Sequence, residues 1–581
     1  MTLCFRAGSE EGSRGYFVGA RRIEVHRCSP GRHLQRRPAL SNTADGAPGV
    51  WRISAWANFR LPAALDEQDV SMEDSTQIPA GTPHANDGDG PVPTLMVIAA
   101  QGDLCLRVTF ISSPKTLKPP KKEARPRPSL PRTSAGAGSP AGPQAQPPPP
   151  PPPPPLTPLQ SPRETHWYRV ELAALTRQSE YFRVLLGADS RFGEARAVAA
   201  VLEALDLDGV DPRDVEDAAR LPAVDVTDDD EATRSPLRHH ALADLLRILH
   251  GAPPAVRHPA VLTMRHVAAL AVLADRFGCA QPVSRSLSAE LRFKWPATRL
   301  KAAADGSGDV SGGVGGPRLD SEEVLRQRVL VAWLLDQPLK LHASTRDLTI
   351  HGSRRWTQVA DQDEAEGRVG DLASWWDLQD DLEVELRYRR ECILNTIASV
   401  QHHFISLYSS RTQMCKLGYD SSSACDSFQL GQMIKFLSSK KLLFLVDFSS
   451  TSFERVAEFG TTDINHIISL LSQVPSYQVD RHHTNCGLRT KILPILEYIK
   501  AMISSNVLSI PRREWKNARA TQSWMQSGDD EKQERQPFRF GRSAASDDRL
   551  RYEGAMATDR MARQLFTAKS WDWSPEDRIQ P

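Results

Sequence analysis

The alternation of apolar and polar positions predicts several short strands. Residues 94–110 hold two apolar runs separated by a Gly-Asp step at 102–103, which is typical of a turn. In the second run, apolar side chains alternate with polar ones, and this is the period of a half-buried strand. Residues 167–171 and 221–226 have the composition of two further strands.

Helix-period patterns follow these strands. Ser179 and Glu180 form an N-cap and an acidic first turn, which predicts a helix pair that buries Leu175, Phe182, Leu185 and Leu186. Apolar residues at 242–249 recur at i, i+3, i+4 and i+7, and the pattern repeats at 267–277 until Gly278 ends it. A small sheet followed by helices predicts an α+β module over 93–296.

The segment 318–510 is predicted to be a mainly helical C-terminal domain. Its first helix has Ser321 as an N-cap and stops before Pro338. The longest helix is expected from about 380 to 409, where apolar residues form a seam for packing on another helix. Residues 440–448 are short and apolar, and therefore predict a buried strand. A helix is also expected over 488–503, with Pro494 opening it late or kinking it.

Four stretches lack a sustained period. Residues 1–92 and 511–581 are predicted to be mostly disordered, and the Gly/Ser-rich 304–317 is predicted to be a flexible linker. The fourth, 113–165, is a proline-rich insert with eight Lys or Arg against two Glu. Nine consecutive prolines at 147–155 must form polyproline II, because proline fixes φ and donates no hydrogen bond.

Two interpretations of the insert 113–165 remain open. It is either a stiff basic spacer or a ligand for a groove of the SH3, WW or profilin type. We favour the spacer, because proline tracts are common compositional features.

Composition restricts the functional class. The net charge of the 581-residue chain is +1, so the protein is not built to hold a phosphate backbone by bulk charge, and no specific nucleic acid is expected. The longest apolar runs are too short to cross a bilayer, and the N-terminus lacks the apolar core of a secretory signal. Eight cysteines without a CxxC pair favour a reducing compartment, the cytoplasm or the nucleus.

No catalytic motif emerges from the sequence. The Gly-rich segment contains no phosphate-binding loop, and no serine lies in GxSxG. The acidic runs at 228–231 and 363–366 are expected to be solvated loops. We therefore assign no catalytic, cofactor-binding or metal-binding residue.

One cluster nevertheless resembles metal chemistry. His482, His483 and Cys486 lie close together, and His402, His403 and Cys415 lie upstream. Zinc needs about four converging nitrogen or sulfur ligands. Because the cluster has no paired CxxC, a surface loop entering the helix at Gly487 is the favoured interpretation.

Residues 95–113 and 166–296 together resemble the BTB/POZ domain, in the divergent form common in fungal proteins. That family has the order strand, strand, helix pair, strand, helices. The residues that carry the likeness are the strand 102–108, Val170, Leu175, Ser179, Phe182, Leu185, Leu186, Phe192, Glu194, His250-Gly251 and 274–278. Glu171 and Glu180 depart from the pattern, because many members have His and Pro there. The region 318–510 looks like the part that follows the domain in many fungal members.

The resemblance implies a scaffold that dimerises and, in many members, serves cullin-type ubiquitin ligases or transcriptional complexes. It implies no catalytic residue. We therefore expect a non-enzymatic protein-interaction adaptor without cofactors. The alternative is a metal-dependent enzyme or zinc-binding protein that uses His482, His483 and Cys486.

Overall fold

The computed structural model describes residues 94–117, 163–253, 262–296, 319–356, 372–446, 462–525, 538–540 and 554–572, with positions 115, 292, 485 and 569 left out. The predicted disordered segment 1–92, the linker 304–317 and most of the insert 113–165 lie outside this part of the chain. The fold of the described residues is α+β.

Four strands form a mixed sheet at the N-terminal side. They are β1 (Thr94–Val97), β2 (Leu104–Ile111), β3 (Arg163–Val170) and β4 (Ala223–Asp229), in the spatial order β1-β3-β2-β4. β2 and β3 are antiparallel, and both outer pairings are parallel. The proline-rich insert therefore connects the two strands of one hairpin, since Ile111 pairs with Arg163. The expectation that these two strands pair across the insert is confirmed.

The Gly-Asp step at 102–103 does not join neighbouring strands as a hairpin turn would. β1 and β2 lie on opposite sides of β3, and the step leads the chain from one to the other. A Cβ on Gly102 would lie 2.7 Å from the carbonyl oxygen of Val170. Glycine is needed here because the two backbones approach closely.

Helices cover the sheet. They are α1 (Leu172–Gln178), α2 (Glu180–Leu186), α3 (Gly193–Leu207), α4 (Arg238–Leu249), α5 (Met264–Arg276) and α6 (Ala280–Arg285). Ser179 caps α2 as predicted: its hydroxyl accepts the Phe182 N–H and donates to the Phe277 carbonyl, 2.6 Å away. Gly278 follows α5 with φ +61°. The helix α3 has no counterpart in the predicted elements.

The C-terminal part is mainly helical. Its helices are α7 (Leu319–Leu334), α8 (Pro338–His351), α9 (Leu382–Ser409), α10 (Ser422–Ser439), α11 (Ile464–Leu471), α12 (Leu488–Ile503), α13 (Arg512–Asn517), α14 (Arg519–Gln522) and α15 (Gly554–Thr567). A short parallel pair joins β5 (Phe538–Arg539) to β6 (Trp571–Asp572). α9 confirms the long helix, and Pro494 lies inside α12.

Three predictions in this part are wrong. Ser321 lies within α7 rather than before it. The described part of the predicted strand, 440–446, contains a 3-10 turn at Leu443–Leu445 and no strand. The tail beyond 511 is predicted to be disordered, yet its described stretches contain helices and a short strand pair, and Trp515, Trp524 and Phe566 are buried there. The sequence did not predict this order for two reasons. Isolated aromatic residues in a polar stretch give no periodic signal, and the partners that bury them lie far away in the sequence.

The buried apolar residues form two main cores, and their division differs from the predicted domains. The first core includes the sheet and α1 to α6. It also includes α7, which contributes Leu325, Val329, Leu330 and Trp333. The second core contains Ile393 and the later residues of α9 together with α10, α11, α12 and α15. The first core therefore includes residues from both sides of the predicted boundary at 304–317.

The acidic run at 228–231 is not a solvated loop. Asp228 is buried, and its Oδ2 forms an ion pair with the Nε of Arg238 at 2.7 Å. Arg276 forms a second ion pair with the same carboxylate. Asp230 is also buried and accepts hydrogen bonds from Ser113. These carboxylates join the end of the sheet to α4 and α5, and the second run at 363–366 lies outside the described residues.

No helix in the described part of the chain is long and apolar enough to cross a membrane.

Phe182 is expected to be a major contributor to the stability of the first core. It is 1% exposed and stacks on Phe277 with ring centroids 5.4 Å apart. Replacing a buried phenylalanine by alanine typically costs about 3–5 kcal/mol, so Phe182→Ala should lower the free energy of unfolding by that amount. Val184 on the same helix is 53% exposed, so Val184→Ala should change it little. Denaturant melts of the two variants provide the measurement, and equal stabilities would contradict the placement of α2.

A second prediction follows from the shared first core. Cutting the chain at a protease site introduced within 304–317 should leave the two fragments associated, because α7 packs on α5 and Ser374 donates its N–H to the Ala232 carbonyl across the cut. Size-exclusion chromatography should give one peak in native buffer and two in denaturant. Separation under native conditions would show that 318–510 folds as an independent domain.

Candidate metal centre

Three cysteines and one histidine converge in the C-terminal part. Cys415 lies in the connection between α9 and α10, and Cys425 lies on the first turns of α10. His483 and Cys486 lie in the connection that leads into α12. The ligand atoms of all four residues lie within 4.8 Å of one another.

Cys415 lies close to two of the other candidate ligands. The Sγ of Cys415 lies 3.5 Å from the Nδ1 of His483 and 3.8 Å from the Sγ of Cys486. None of the four residues is more than partly exposed: Cys415, Cys425 and His483 are buried and Cys486 is half-buried. All three cysteines are free thiols.

Local hydrogen bonds shape the segment that carries His483 and Cys486. The carboxylate of Asp480 accepts the N–H of His482, and its backbone carbonyl accepts the N–H of His483. The carbonyl of His483 in turn accepts the N–H of Cys486 at 3.4 Å. This compact turn places two ligands separated by two residues on the same side of the chain.

A hydrogen bond attaches the segment that carries Cys415 to the first turns of α10. Asp426 accepts the backbone N–H of Met414 at 2.6 Å, which holds the residue before Cys415 against the helix. Burial raises the pKa of Cys415, but the backbone N–H of Leu417 and the Ser422 hydroxyl outweigh it and hold that pKa below its ordinary value. Burial raises the pKa of Cys425 and of Cys486. Of the three thiols, that of Cys415 is therefore the most acidic.

A hydrogen-bond chain fixes the tautomer of His483. The Ser421 hydroxyl donates its single proton to Asp480 at 2.6 Å, and its oxygen lies 3.1 Å from the Nε2 of His483. Since that proton is already used, Ser421 can only accept from His483, so Nε2 carries the hydrogen. The Nδ1 lone pair is then directed at the thiols. This arrangement of histidine, hydroxyl and carboxylate is the type of outer contact that orients metal-binding histidines.

The structure separates the residues of the sequence cluster. His483, Cys486 and Cys415 belong to the centre, whereas His482 lies outside it, exposed beside Arg481. His402 and His403 line a different depression, next to Ser570 and Trp571. Cys425 was missed, because nine residues separate it from Cys415. The pair H-x-x-C at 483–486 was the available signal, since it has the short spacing common in zinc sites.

A second group of possible ligands lies at the sheet. Glu164, His166 and His239 have ligand atoms within 4.8 Å of one another. The rings of His166 and His239 are stacked with centroids 4.6 Å apart and planes 5° apart. Stacked imidazoles direct their lone pairs along parallel lines rather than to one point. The neighbouring Arg238 guanidinium also disfavours a cation, so this group is best explained by aromatic packing with Phe110.

Comparison with known proteins gives no relative: no protein family, no curated protein and no solved structure matches the chain.

Proposed function

We propose that the protein is a non-enzymatic protein-interaction adaptor that acts through a BTB-like module, as the sequence resemblance implies. Its partners on this proposal are proteins, with cullin-type ubiquitin ligases and transcriptional complexes as the two candidate classes. A homodimer is part of the proposal. The cytoplasm or the nucleus is the compartment in which such partners are found.

The observation that carries the proposal is the edge strand β1. It lies at the end of the sheet and pairs with β3 alone among the described strands. Leu95 and Val97 are 42% and 54% exposed, and their i, i+2 spacing places both on one face of the strand. An exposed edge with apolar side chains is a template for pairing with another chain.

The order of elements supports the same proposal. The hairpin β2–β3, the helix pair α1–α2, the parallel strand β4 and the helices α4 and α5 follow in the sequence expected from the resemblance. The additional strand β1 precedes this order, and the additional helix α3 is inserted between the helix pair and β4.

The alternative, a metal-dependent enzyme built around His482, His483 and Cys486, has weaker support. His482 is outside the cluster, and four protein ligands would fill the tetrahedral shell of zinc. Catalytic zinc keeps one position open for water or substrate. Zinc binding by the remaining residues is compatible with an adaptor.

A surface variant tests the adaptor proposal. Val97→Lys should place a charge on the edge strand of each subunit and convert the homodimer to a monomer. Like charges juxtaposed at an interface cost several kcal/mol, which raises the dissociation constant roughly a hundredfold or more. Val184, 53% exposed on α2, provides the matched control, and Val184→Lys should leave the dimer intact. Size-exclusion chromatography with light scattering measures the mass of each variant.

Affinity purification of the same three proteins from cells, followed by mass spectrometry, identifies the partners. Subunits of a cullin-type ligase or of a transcriptional complex should be enriched with the wild-type protein and with Val184→Lys, and reduced with Val97→Lys. A wild-type chain that is monomeric and enriches neither class would overturn the proposal.

A further inference from the structure

We propose that Cys415, Cys425, His483 and Cys486 bind one Zn²⁺ as a closed structural site that fastens the connections around α10 and α12 to each other. The proposal does not depend on the adaptor function, because it involves the second core and not the sheet.

The spacing of the ligand atoms fits a single tetrahedral zinc ion. With Zn–S bonds of about 2.3 Å and Zn–N bonds of about 2.0–2.1 Å, a tetrahedron places two sulfurs about 3.8 Å apart and a sulfur and a nitrogen about 3.5 Å apart. The corresponding atoms are 3.8 Å apart for Cys415 and Cys486, and 3.5 Å apart for Cys415 and His483. The four ligands are too close together to surround a cluster of two or more iron atoms.

The donor set selects the metal. Three thiolates and one imidazole are soft and borderline ligands, which suit zinc and disfavour magnesium or calcium. In the tautomer described above, Nε2 of His483 donates its hydrogen to Ser421, and Nδ1 has a free lone pair. The imidazole can therefore present Nδ1 to a cation while Nε2 keeps its hydrogen bond to Ser421.

The charge of the loaded site can be accommodated. Three thiolates and Zn²⁺ carry a net charge of −1, which is modest for a half-buried site. The backbone N–H of Leu417 donates to the Cys415 sulfur, and the positive charge of Lys491 favours the thiolate of Cys486, although burial raises the pKa of that thiol overall. Zinc binding would release the protons of the thiols that remain protonated in its absence.

The site would act as a cross-link. Its ligands come from two connections and one helix start, and Cys415 and Cys486 are 71 residues apart in sequence. A metal that joins these connections would supply part of the folding free energy directly. With all four positions taken by protein, the bound zinc would have a structural role.

Metal analysis of the full-length protein is the first test. The protein should be expressed with zinc, purified through a tag that does not chelate metals, and measured by inductively coupled plasma mass spectrometry. We expect one zinc per chain. Cys425→Ser and Cys486→Ser should each lose it, whereas two matched controls should retain it: Cys392→Ser, a half-buried cysteine of α9, and His482→Ala, the neighbour of a ligand.

Two measurements keep the proposal falsifiable if the ligand variants fail to fold. Wild-type protein loaded with Co²⁺ should show the intense visible absorption of a tetrahedral cobalt thiolate. Ser421→Ala removes only the hydroxyl that holds His483, and it should weaken zinc binding by about 10–100-fold in a chelator competition while the far-ultraviolet circular dichroism is retained.

Three outcomes would overturn the proposal. The first is a wild-type protein that contains only traces of zinc and gives no tetrahedral cobalt spectrum. The second is stoichiometric zinc that Cys425→Ser and Cys486→Ser both retain, which would place the metal elsewhere. The third is a Cys415–Cys486 disulfide, found by counting thiols in protein purified under nitrogen. None of these outcomes bears on the dimer measured with Val97→Lys.

Discussion

The folded C-terminal part depends on two adjacent arginines, Arg389 and Arg390, both nearly or fully buried on α9. A guanidinium carries five N–H donors and keeps its charge, so burying it is costly unless acceptors surround it. Arg389 pairs with Glu385 at 2.7 Å and donates to the carbonyls of Val507, Ser509 and Gln522. Arg390 donates to the carbonyls of Thr349, Ile350 and Thr462. One turn of α9 thus gathers four distant segments of the chain.

These contacts of Arg389 and Arg390 lie at the point where α9 passes from one core to the other. Its first residues, Leu382 and Leu386, belong to the first core, and Ile393 and the apolar residues after it belong to the second. The arginines lie between these two groups, where the carbonyl ends of other segments would otherwise be buried without donors. The loop that follows α9 carries Cys415, so the candidate metal centre lies beyond the far end of the same helix.

Local signals predicted the parts of this architecture that depend on neighbours in sequence. The cap at Ser179, the turn at Gly278 and the seam of α9 follow from residues a few positions apart, and the structure confirms all three. Features that depend on distant partners could not be obtained in this way. The tail near Trp524 packs under the guanidinium of Arg389, which also donates to the Gln522 carbonyl, 133 residues away in sequence. Cys425 becomes a candidate ligand only when α10 packs beside the α12 connection.

The proposed partner-binding surface and the proposed zinc site make opposite demands on the structure. An adaptor requires an exposed surface whose substitution leaves the fold intact, and the edge strand β1 of the first core has that character. A structural metal requires the reverse: ligands withdrawn from solvent and held by outer contacts, as His483 is held by Ser421 and Asp480. Because the ligands lie among elements of the second core, zinc would rigidify that core without occupying the sheet edge. Binding and metal-dependent stability are therefore expected to be separable properties of this chain.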